Sequence, residues 1–323
     1  MNKNFEEVLL DIVLPTYNNP LCVKYILEQL KQYSVSKFDF ILSIYDSSTD
    51  DETKKIVNTY LSDRFFYHQM DSQLDVDEKT LLALKNSKAQ YVYLIGDGYC
   101  PKVDVIFNSI NFVKNKSEII VLYEETWKPQ KKFYKNLKKF EFYDKNEFYK
   151  VHFWQLILYG GSICKSELFD RVDTEQMISL YNTSGFIYPS VLATYSEGPY
   201  ESKIGRFIDL VPYKKESGWL RNKNAIKIWT KNYYITINKL IDVLDISTIN
   251  HIIKTTGKNT CFLTARGLVN FRLSDNYNFA KYKEYKFYLK KCKGCNSLIA
   301  LTIAIFPKWI LRFIKNIKKL LIK

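Results

Sequence analysis

The stretch Val8-Leu-Leu-Asp-Ile-Val-Leu-Pro-Thr-Tyr-Asn-Asn-Pro20 decides the kind of fold that this chain can adopt. The nearly continuous apolar run from residue 8 to residue 15 is typical of a strand that is buried on both faces. Residues 16–19 are turn formers, and Pro20 suits the first turn of a helix. A buried strand, a polar turn and a helix form the repeating unit of a parallel α/β sheet.

The same unit recurs along the first hundred residues. Strand patterns at 38–45, 64–68 and 91–95 alternate with helical patterns, and no two-residue hairpin turn separates them. We therefore expect an α/β fold with a mostly parallel sheet. The turns at 16–19, 46–51 and 96–98 all follow strands, so they should meet at the edge where parallel sheets bind ligands.

The pattern is weaker after residue 105. A strand is predicted at 119–123, a basic and aromatic loop region at 128–150, and a glycine-bent turn into a strand at 159–164. Helical spacing at 185–195 and 223–256 predicts further helices.

Three motifs carry a resemblance to a known family. They are Asp11-Ile-Val-Leu-Pro-Thr-Tyr-Asn-Asn19, Tyr45-Asp-Ser-Ser-Thr-Asp50 and Leu94-Ile-Gly-Asp-Gly-Tyr99. In this order and spacing they resemble the family 2 glycosyltransferases of GT-A fold, well over about the first hundred residues and loosely over the next ninety. The resemblance implies a nucleotide-sugar-binding half at 1–105 and an acceptor-binding half at 106–220. Beyond it we expect a helical, membrane-associating region at 221–323, whose end is basic and amphipathic.

The resemblance also implies a donor site. Asp46 would accept a hydrogen bond from the N3–H of a pyrimidine, which cytosine lacks, so the donor would be a UDP- or dTDP-sugar. Helix capping is the alternative role for the 46–51 turn and for Asp75. The expected donor-binding residues are Pro15, Thr16, Tyr17, Asn18, Asp46, Asp75, Gly96 and Asp97.

Asp97 falls where the family carries an Asp-x-Asp metal motif. The first carboxylate of that motif is replaced by Ile95 and the trailing one by Gly98, so Asp97 alone remains. The resemblance implies Mn²⁺ or Mg²⁺ as a cofactor with Asp97 as ligand, completed by phosphate and water. The alternative is that Lys and Arg side chains balance the charge of the diphosphate.

The acceptor side is less clearly marked. The turn that contains Gly160 and Gly161 resembles the family's acceptor-side glycine turn. The resemblance implies an inverting transfer, which needs a base to take the proton of the acceptor hydroxyl. We name Asp173 and Glu175 as candidates for this base, and a solvated loop is the alternative reading of both.

The C-terminal end is basic and amphipathic. The whole chain has a formal net charge of +14. Residues 296–306 are apolar but too short to span a bilayer. In the following helical pattern Trp309, Phe313 and Ile314 share one face with other apolar residues, while Lys308 and Arg312 lie opposite. Such a helix is typical of an in-plane membrane anchor; the alternative is a terminal helix packed on the core.

These observations predict a glycosyltransferase that acts in cell-surface glycan synthesis. We expect a lipid-linked saccharide as the acceptor and a peripheral location on the cytoplasmic, inner face of the cell membrane. Six scattered cysteines and a polar N-terminus fit a reducing compartment. Two other classes stay open: a non-catalytic relative that binds a nucleotide or glycan, and a basic membrane- or nucleic-acid-binding scaffold. Nucleic acid is not our expected partner, because no binding module is visible.

Overall fold

The structure is a computed structural model that describes residues 8–33, 38–111, 117–124, 141–142, 144–182, 184–213 and 222–320. The chain forms two compact units, Met1–Lys214 and Lys215–Lys323.

The first unit is built on a mixed sheet. Its described strands are β1 (Leu10–Thr16), β2 (Phe40–Asp46), β3 (Phe65–Gln69), β4 (Tyr91–Leu94), β5 (Tyr99–Pro101), β6 (Ile119–Glu124), β7 (Glu141–Phe142), β8 (Ser162–Lys165), β9 (Tyr200–Gly205) and β10 (Ile208–Leu210). Eight of them form a sheet in the order β3-β2-β1-β4-β8-β6-β9-β7. β3, β2, β1 and β4 are mutually parallel, β8 is antiparallel to both of its neighbours, and β6 and β9 are parallel. β5 and β10 form a small antiparallel pair.

Helices connect and cover these strands. In the described part of this unit they are α1 (Pro20–Lys31), α2 (Glu52–Asn58), α3 (Val76–Lys85), α4 (Val103–Asn111), α5 (Lys145–Leu156), α6 (Glu167–Asp170), α7 (Thr174–Tyr181) and α8 (Ile187–Tyr195). Every residue of β1 and β2 is buried, which explains why their sequences are nearly continuous apolar runs. The predicted α/β fold with a mostly parallel sheet is confirmed.

One prediction for this unit is wrong. Residues 145–150 were expected to belong to a loop region, but they begin helix α5, whose N-cap Asp144 accepts a hydrogen bond from the backbone of Glu147. The buried residues of α5 include Phe148, Tyr149 and Phe153, on more than one side of the helix, so no clear apolar period is visible in the sequence. Most of the remaining predicted loop, 128–140, lies outside the described residues.

The second unit is helical in its described part. It contains α9 (Ala225–Lys227), a π-helical segment Ile228–Asn232, α10 (Tyr233–Asn238), a 3₁₀ segment Lys239–Asp242, α11 (Ile246–Asn259), α12 (Ala265–Leu273), α13 (Phe279–Cys292), α14 (Ser297–Ile305) and α15 (Lys308–Leu320). The helical region predicted at 223–256 is thus broken into pieces. No single described helix is long and apolar enough to cross a membrane. α14 and residues Lys308–Asn316 of α15 pass that test only together, and the chain bends by 112° between them.

Candidate active site

The turns after β1, β2 and β4 meet at one edge of the sheet. Thr16 is in register with Asp46, and Val13 is in register with Leu94, so these three strands end side by side. The Thr16 hydroxyl donates a hydrogen bond of 3.0 Å to Oδ2 of Asp97. The predicted convergence of the three turns at this edge is therefore observed.

Asn18 ties the first turn to the second. Its backbone N–H donates to Ser48 Oγ over 2.8 Å, and its side-chain Oδ1 accepts from the backbone N–H of Thr49 over 3.0 Å. Asn18 has a φ of 48°, in the left-handed region that few residues other than glycine adopt. Non-glycine residues in such conformations cluster at ligand sites, where surrounding contacts hold them in place.

Asp46 is held in a defined orientation beneath these turns. Only 2% of the residue is exposed. Its Oδ1 accepts from the backbone N–H and the hydroxyl of Ser48, and its Oδ2 accepts from the Tyr67 hydroxyl over 3.0 Å. Burial and the adjacent Asp46 raise the pKa of Tyr67, so the phenol stays protonated and donates. Because a carboxylate oxygen accepts two hydrogen bonds, Oδ2 keeps capacity for one more donor.

Helix capping at this turn falls to other residues. Asp51 occupies the N-cap position of α2 without a side-chain cap hydrogen bond, and Asp50 Oδ1 accepts from the backbone of Glu52 over 3.0 Å. Asp46 makes no such contact with the described part of α2. The carboxylate of Asp46 is thus distinct from those that serve the helix.

Lys79 is a site residue that the sequence analysis missed. Its Nζ donates to Ser47 Oγ over 2.6 Å and to the backbone oxygen of Thr16 over 3.2 Å, and the residue is 5% exposed. Burial lowers the pKa of Lys79, whereas the nearby carboxylates of Asp46 and Asp97 act to raise it. A signal for this residue existed, since Lys79 follows Asp75 by four residues and therefore lies on the same face of α3.

Asp75 and Asp77 have separate tasks at the start of α3. Asp75 is the N-cap and accepts from the backbone of Asp77 over 2.9 Å, as in its alternative reading. Asp77 is buried and accepts from the backbone of Gly185 over 2.7 Å and from the Ser184 hydroxyl over 3.2 Å. Burial raises the pKa of Asp77 to about 6. Asp77 thereby holds the segment that leads into α8 against the start of α3.

The glycine turn before β8 lies beside the end of β4. The backbone N–H of Gly160 donates to the Leu94 oxygen over 2.7 Å. Gly160 has a φ of 86°, and a Cβ on Gly161 would lie 2.2 Å from the Gln155 oxygen, so both positions require glycine. Gly96, in contrast, has room for a Cβ, since its nearest neighbours would be 3.9 Å away.

Asp173 and Glu175 are not brought to this edge. Asp173 caps α7 by accepting from the backbone of Gln176, and Glu175 is exposed. The residues on either side of Asp173 are bound by Lys85, which donates to the Val172 oxygen and the Thr174 hydroxyl. Lys85 is at the far end of α3 from Asp75, about 15 Å along the helix axis. Asp173 therefore lies near the opposite end of α3 from Lys79 and Asp97.

The remaining predicted donor residues lie at the end of β1 and in the turn after β4. Pro15 is buried in β1, Tyr17 is 52% exposed, and Gly96 is half-buried. The exposed ring of Tyr17 is available to a base or ribose.

The fit of a divalent cation to this site is poor. Ile95 is fully buried in the hydrophobic core and Gly98 has no side chain, so Asp97 is the one carboxylate of the motif. Within the described ranges no three His, Cys, Asp or Glu residues form a metal-binding group. Mg²⁺ and Ca²⁺ sites are built from several oxygen ligands, and here the ammonium of Lys79 occupies the neighbourhood of the carboxylate.

No protein-family profile matches the sequence, and no curated protein matches it. Solved structures do match. A crystal structure of S. aureus TarS 1–349 has 12% identity and a TM-score of 0.53, covering 95% of this chain and 92% of that one. The same protein in complex with UDP-GlcNAc gives 13% identity, a TM-score of 0.53 and the same coverage. Mannosyltransferase PcManGT from Pyrobaculum calidifontis, in complex with GDP-Man and Mn²⁺, has 13% identity and a TM-score of 0.53, covering 92% and 87%. This similarity shows that the chain has the GT-A fold.

Proposed function

We propose that this protein is a glycosyltransferase that moves a sugar from a UDP- or dTDP-sugar to a saccharide acceptor. The observation that carries the proposal is the assembly of Thr16, Asp46 and Asp97 at one edge of a GT-A sheet: Thr16 donates a hydrogen bond to Asp97 and is in register with Asp46 of the neighbouring strand. Ligands of open α/β sheets bind at this edge.

Asp46 supports a uracil or thymine base. Its Oδ2 has acceptor capacity left beside the Tyr67 hydroxyl, and the N3–H of either base is a donor that matches it. The exposed ring of Tyr17, in the neighbouring turn after β1, can stack on the base or ribose. The relatives that were crystallised with UDP-GlcNAc or UDP are in keeping with a uridine donor.

The transfer is an in-line displacement with inversion, as the family resemblance implies. The acceptor hydroxyl oxygen forms the new bond to the anomeric carbon while the bond to the diphosphate breaks, and the diphosphate leaves with the electron pair. The hydroxyl proton passes to a base. We assign no residue to that role, because Asp173 and Glu175 lie away from Asp97.

The last two helices support a lipid-linked acceptor at the inner face of the cell membrane. In α15 the side chains of Lys308 and Lys315 bind Asp275 and Asn270 of the same unit. Trp309, Phe313 and Ile314 lie on the side of α15 away from these contacts and are exposed, whereas Leu311 is buried. Among the described side chains, the exposed apolar ones of α14, α15 and the two-residue segment between them are Leu298, Ile299, Ile305, Phe306, Trp309, Phe313 and Ile314.

An ordinary terminal helix buries its apolar face, whereas Trp309, Phe313 and Ile314 of α15 are exposed. Exposed apolar side chains next to a basic flank favour the boundary of an anionic bilayer. We therefore place the protein as a peripheral protein of the cytoplasmic side of the membrane, acting in surface glycan synthesis.

Donor hydrolysis tests the proposal. Purified protein is incubated with UDP-GlcNAc, UDP-Glc, dTDP-Glc and GDP-Man, and nucleotide release is followed. We expect slow release of UDP or dTDP from one of the pyrimidine donors and none from GDP-Man. Thermal stabilisation by UDP without any release would favour the second candidate, a non-catalytic nucleotide-binding relative, which the reduced Asp-x-Asp motif supports. No stabilisation and no release would overturn the proposal.

A further inference from the structure

A buried lysine lies where the donor-site carboxylates meet. We propose that Lys79 is a positioning residue that supplies, from within the protein, the positive charge that a divalent cation supplies in Asp-x-Asp sites. Donor binding is then independent of divalent metal. This inference rests on the proposed function, because it concerns the same donor site.

One residue stands between Lys79 and each of the two carboxylates, Asp46 and Asp97. Its Nζ binds Ser47 Oγ, next to Asp46 in sequence, and the backbone oxygen of Thr16. Thr16 in turn holds Asp97 through its hydroxyl. The ammonium therefore joins the turns after β1 and β2 and lies close to the side chain that the third turn contributes.

The balance of charge explains why a cation is needed at this position. Asp46 is buried, Asp97 is bound by Thr16, the register partner of Asp46, and a nucleoside diphosphate brings further negative charge to the same edge. Uncompensated charges in a buried site are strongly unfavourable. Asp-x-Asp sites meet this need with an ion held by more than one carboxylate. Here a single carboxylate is left, and the ammonium of Lys79 would repel a second cation.

A matched control is present on the same helix. Lys85 also donates to one backbone oxygen and one hydroxyl, those of Val172 and Thr174, over 2.8 and 3.0 Å. It makes the same kind of contact near the other end of α3. A loss of hydrogen bonding and packing is therefore shared by Lys79→Met and Lys85→Met, whereas a loss of charge at the donor site is confined to Lys79→Met.

The experiment is calorimetric titration of the full chain with UDP and dTDP, once in EDTA and once in MnCl₂. We expect the wild-type protein and Lys85→Met to bind with the same affinity, within about twofold, in both buffers. We expect Lys79→Met to bind about tenfold or more weakly in EDTA and to recover part of the loss in MnCl₂, because its carboxylates then attract the ion. Lys79→Gln, which keeps a hydrogen-bond donor without the charge, replaces Lys79→Met if circular dichroism shows that the latter is unfolded.

The outcomes separate this inference from the proposed function. Wild-type binding that requires Mn²⁺ would overturn the role of Lys79 and leave the donor site standing. The role of Lys79 would also be overturned if Lys79→Met and Lys79→Gln bound nucleotide in EDTA as tightly as the wild type does. Absence of nucleotide binding by the wild type in both buffers would overturn both proposals. Electron paramagnetic resonance of free Mn²⁺ adds a readout without nucleotide, because the signal falls when the protein binds the ion. Only the Lys79 variants should reduce this signal.

Discussion

The hydroxyl of Thr16 and the carboxylate of Asp97 lie 3.0 Å apart, although 81 positions separate them in the chain. The bond joins the end of β1 to the turn after β4 and fixes Oδ2 of Asp97 at the edge where the donor would bind. The consequences of this contact can be tested on both partners.

Asp97→Asn keeps the size of the side chain and removes its charge. We expect donor turnover to fall on the order of a hundredfold, because misplacement of a diphosphate costs that much, while UDP affinity changes less. Thr16→Val removes the hydrogen bond to Asp97 but keeps the carboxylate, so donor turnover should fall by a smaller factor. Steady-state kinetics of donor hydrolysis measure both variants, and wild-type turnover in Asp97→Asn would remove this residue from the site.

Asp46→Ala removes the predicted acceptor for the base. We expect UDP and dTDP affinity to fall about tenfold or more, since a hydrogen bond to a charged group contributes about 1.5–3 kcal/mol. Asp50→Ala is the control, because Asp50 is exposed and its bond goes to the backbone of Glu52. It should lower the stability of the protein without changing nucleotide affinity. Equal nucleotide binding by Asp46→Ala and Asp50→Ala would refute the role of Asp46.

Trp309 and Phe313 should carry much of the membrane affinity. Their side chains are 70% and 63% exposed, so replacing both with Ser removes apolar surface without opening the core. We expect the double variant to sediment far less with vesicles of phosphatidylglycerol and phosphatidylcholine. Leu210→Ser is matched in exposure, at 67%, but lies in the first unit, and it should sediment like the wild type. If the wild type, the double variant and Leu210→Ser all sediment alike, α15 is not the membrane anchor.

Asp11 should make the stability of the protein depend on pH. It is buried in β1, one of its oxygens finds no hydrogen-bond partner among the described residues, and burial raises its pKa to about 6 from 3.8. The folded state thus holds this proton more tightly than the unfolded chain does. Its contribution to stability is present below pH 3.8 and is lost as pH rises through 6, by about 3 kcal/mol.

Asp11→Asn is a neutral replacement of similar shape. The free energy of unfolding, measured by urea denaturation between pH 4 and pH 8, should fall less steeply with pH in this variant than in the wild type. The difference between the two proteins isolates Asp11 from other titrating groups such as Asp77. Parallel pH curves would show that Asp11 does not titrate in this range.

The sequence was sufficient for the alternation of strands and helices in about the first hundred residues. The alternation of buried strands with helices is a local pattern, and each strand that is buried on both faces shows it as an apolar run, as in β1 and β2. The convergence of the three turns followed from the rule that parallel strands share their carboxyl ends. Helix α5 escaped prediction because buried residues lie on more than one of its sides, which removes the period that marks a helix.

Tertiary structure decided which polar residues act together. Lys79 looks like a surface lysine in the sequence, and only the packing of α3 under the turns after β1 and β2 places its ammonium at Thr16 and Ser47. Asp173 looks like a residue of the acceptor side, yet the far end of α3 holds its neighbours through Lys85. The sequence by itself determined the first four strands and the positions of the polar turns that follow β1, β2 and β4, because such patterns depend on neighbours in the chain. The partners of each charge depended on contacts between distant residues, which only the folded chain brings together.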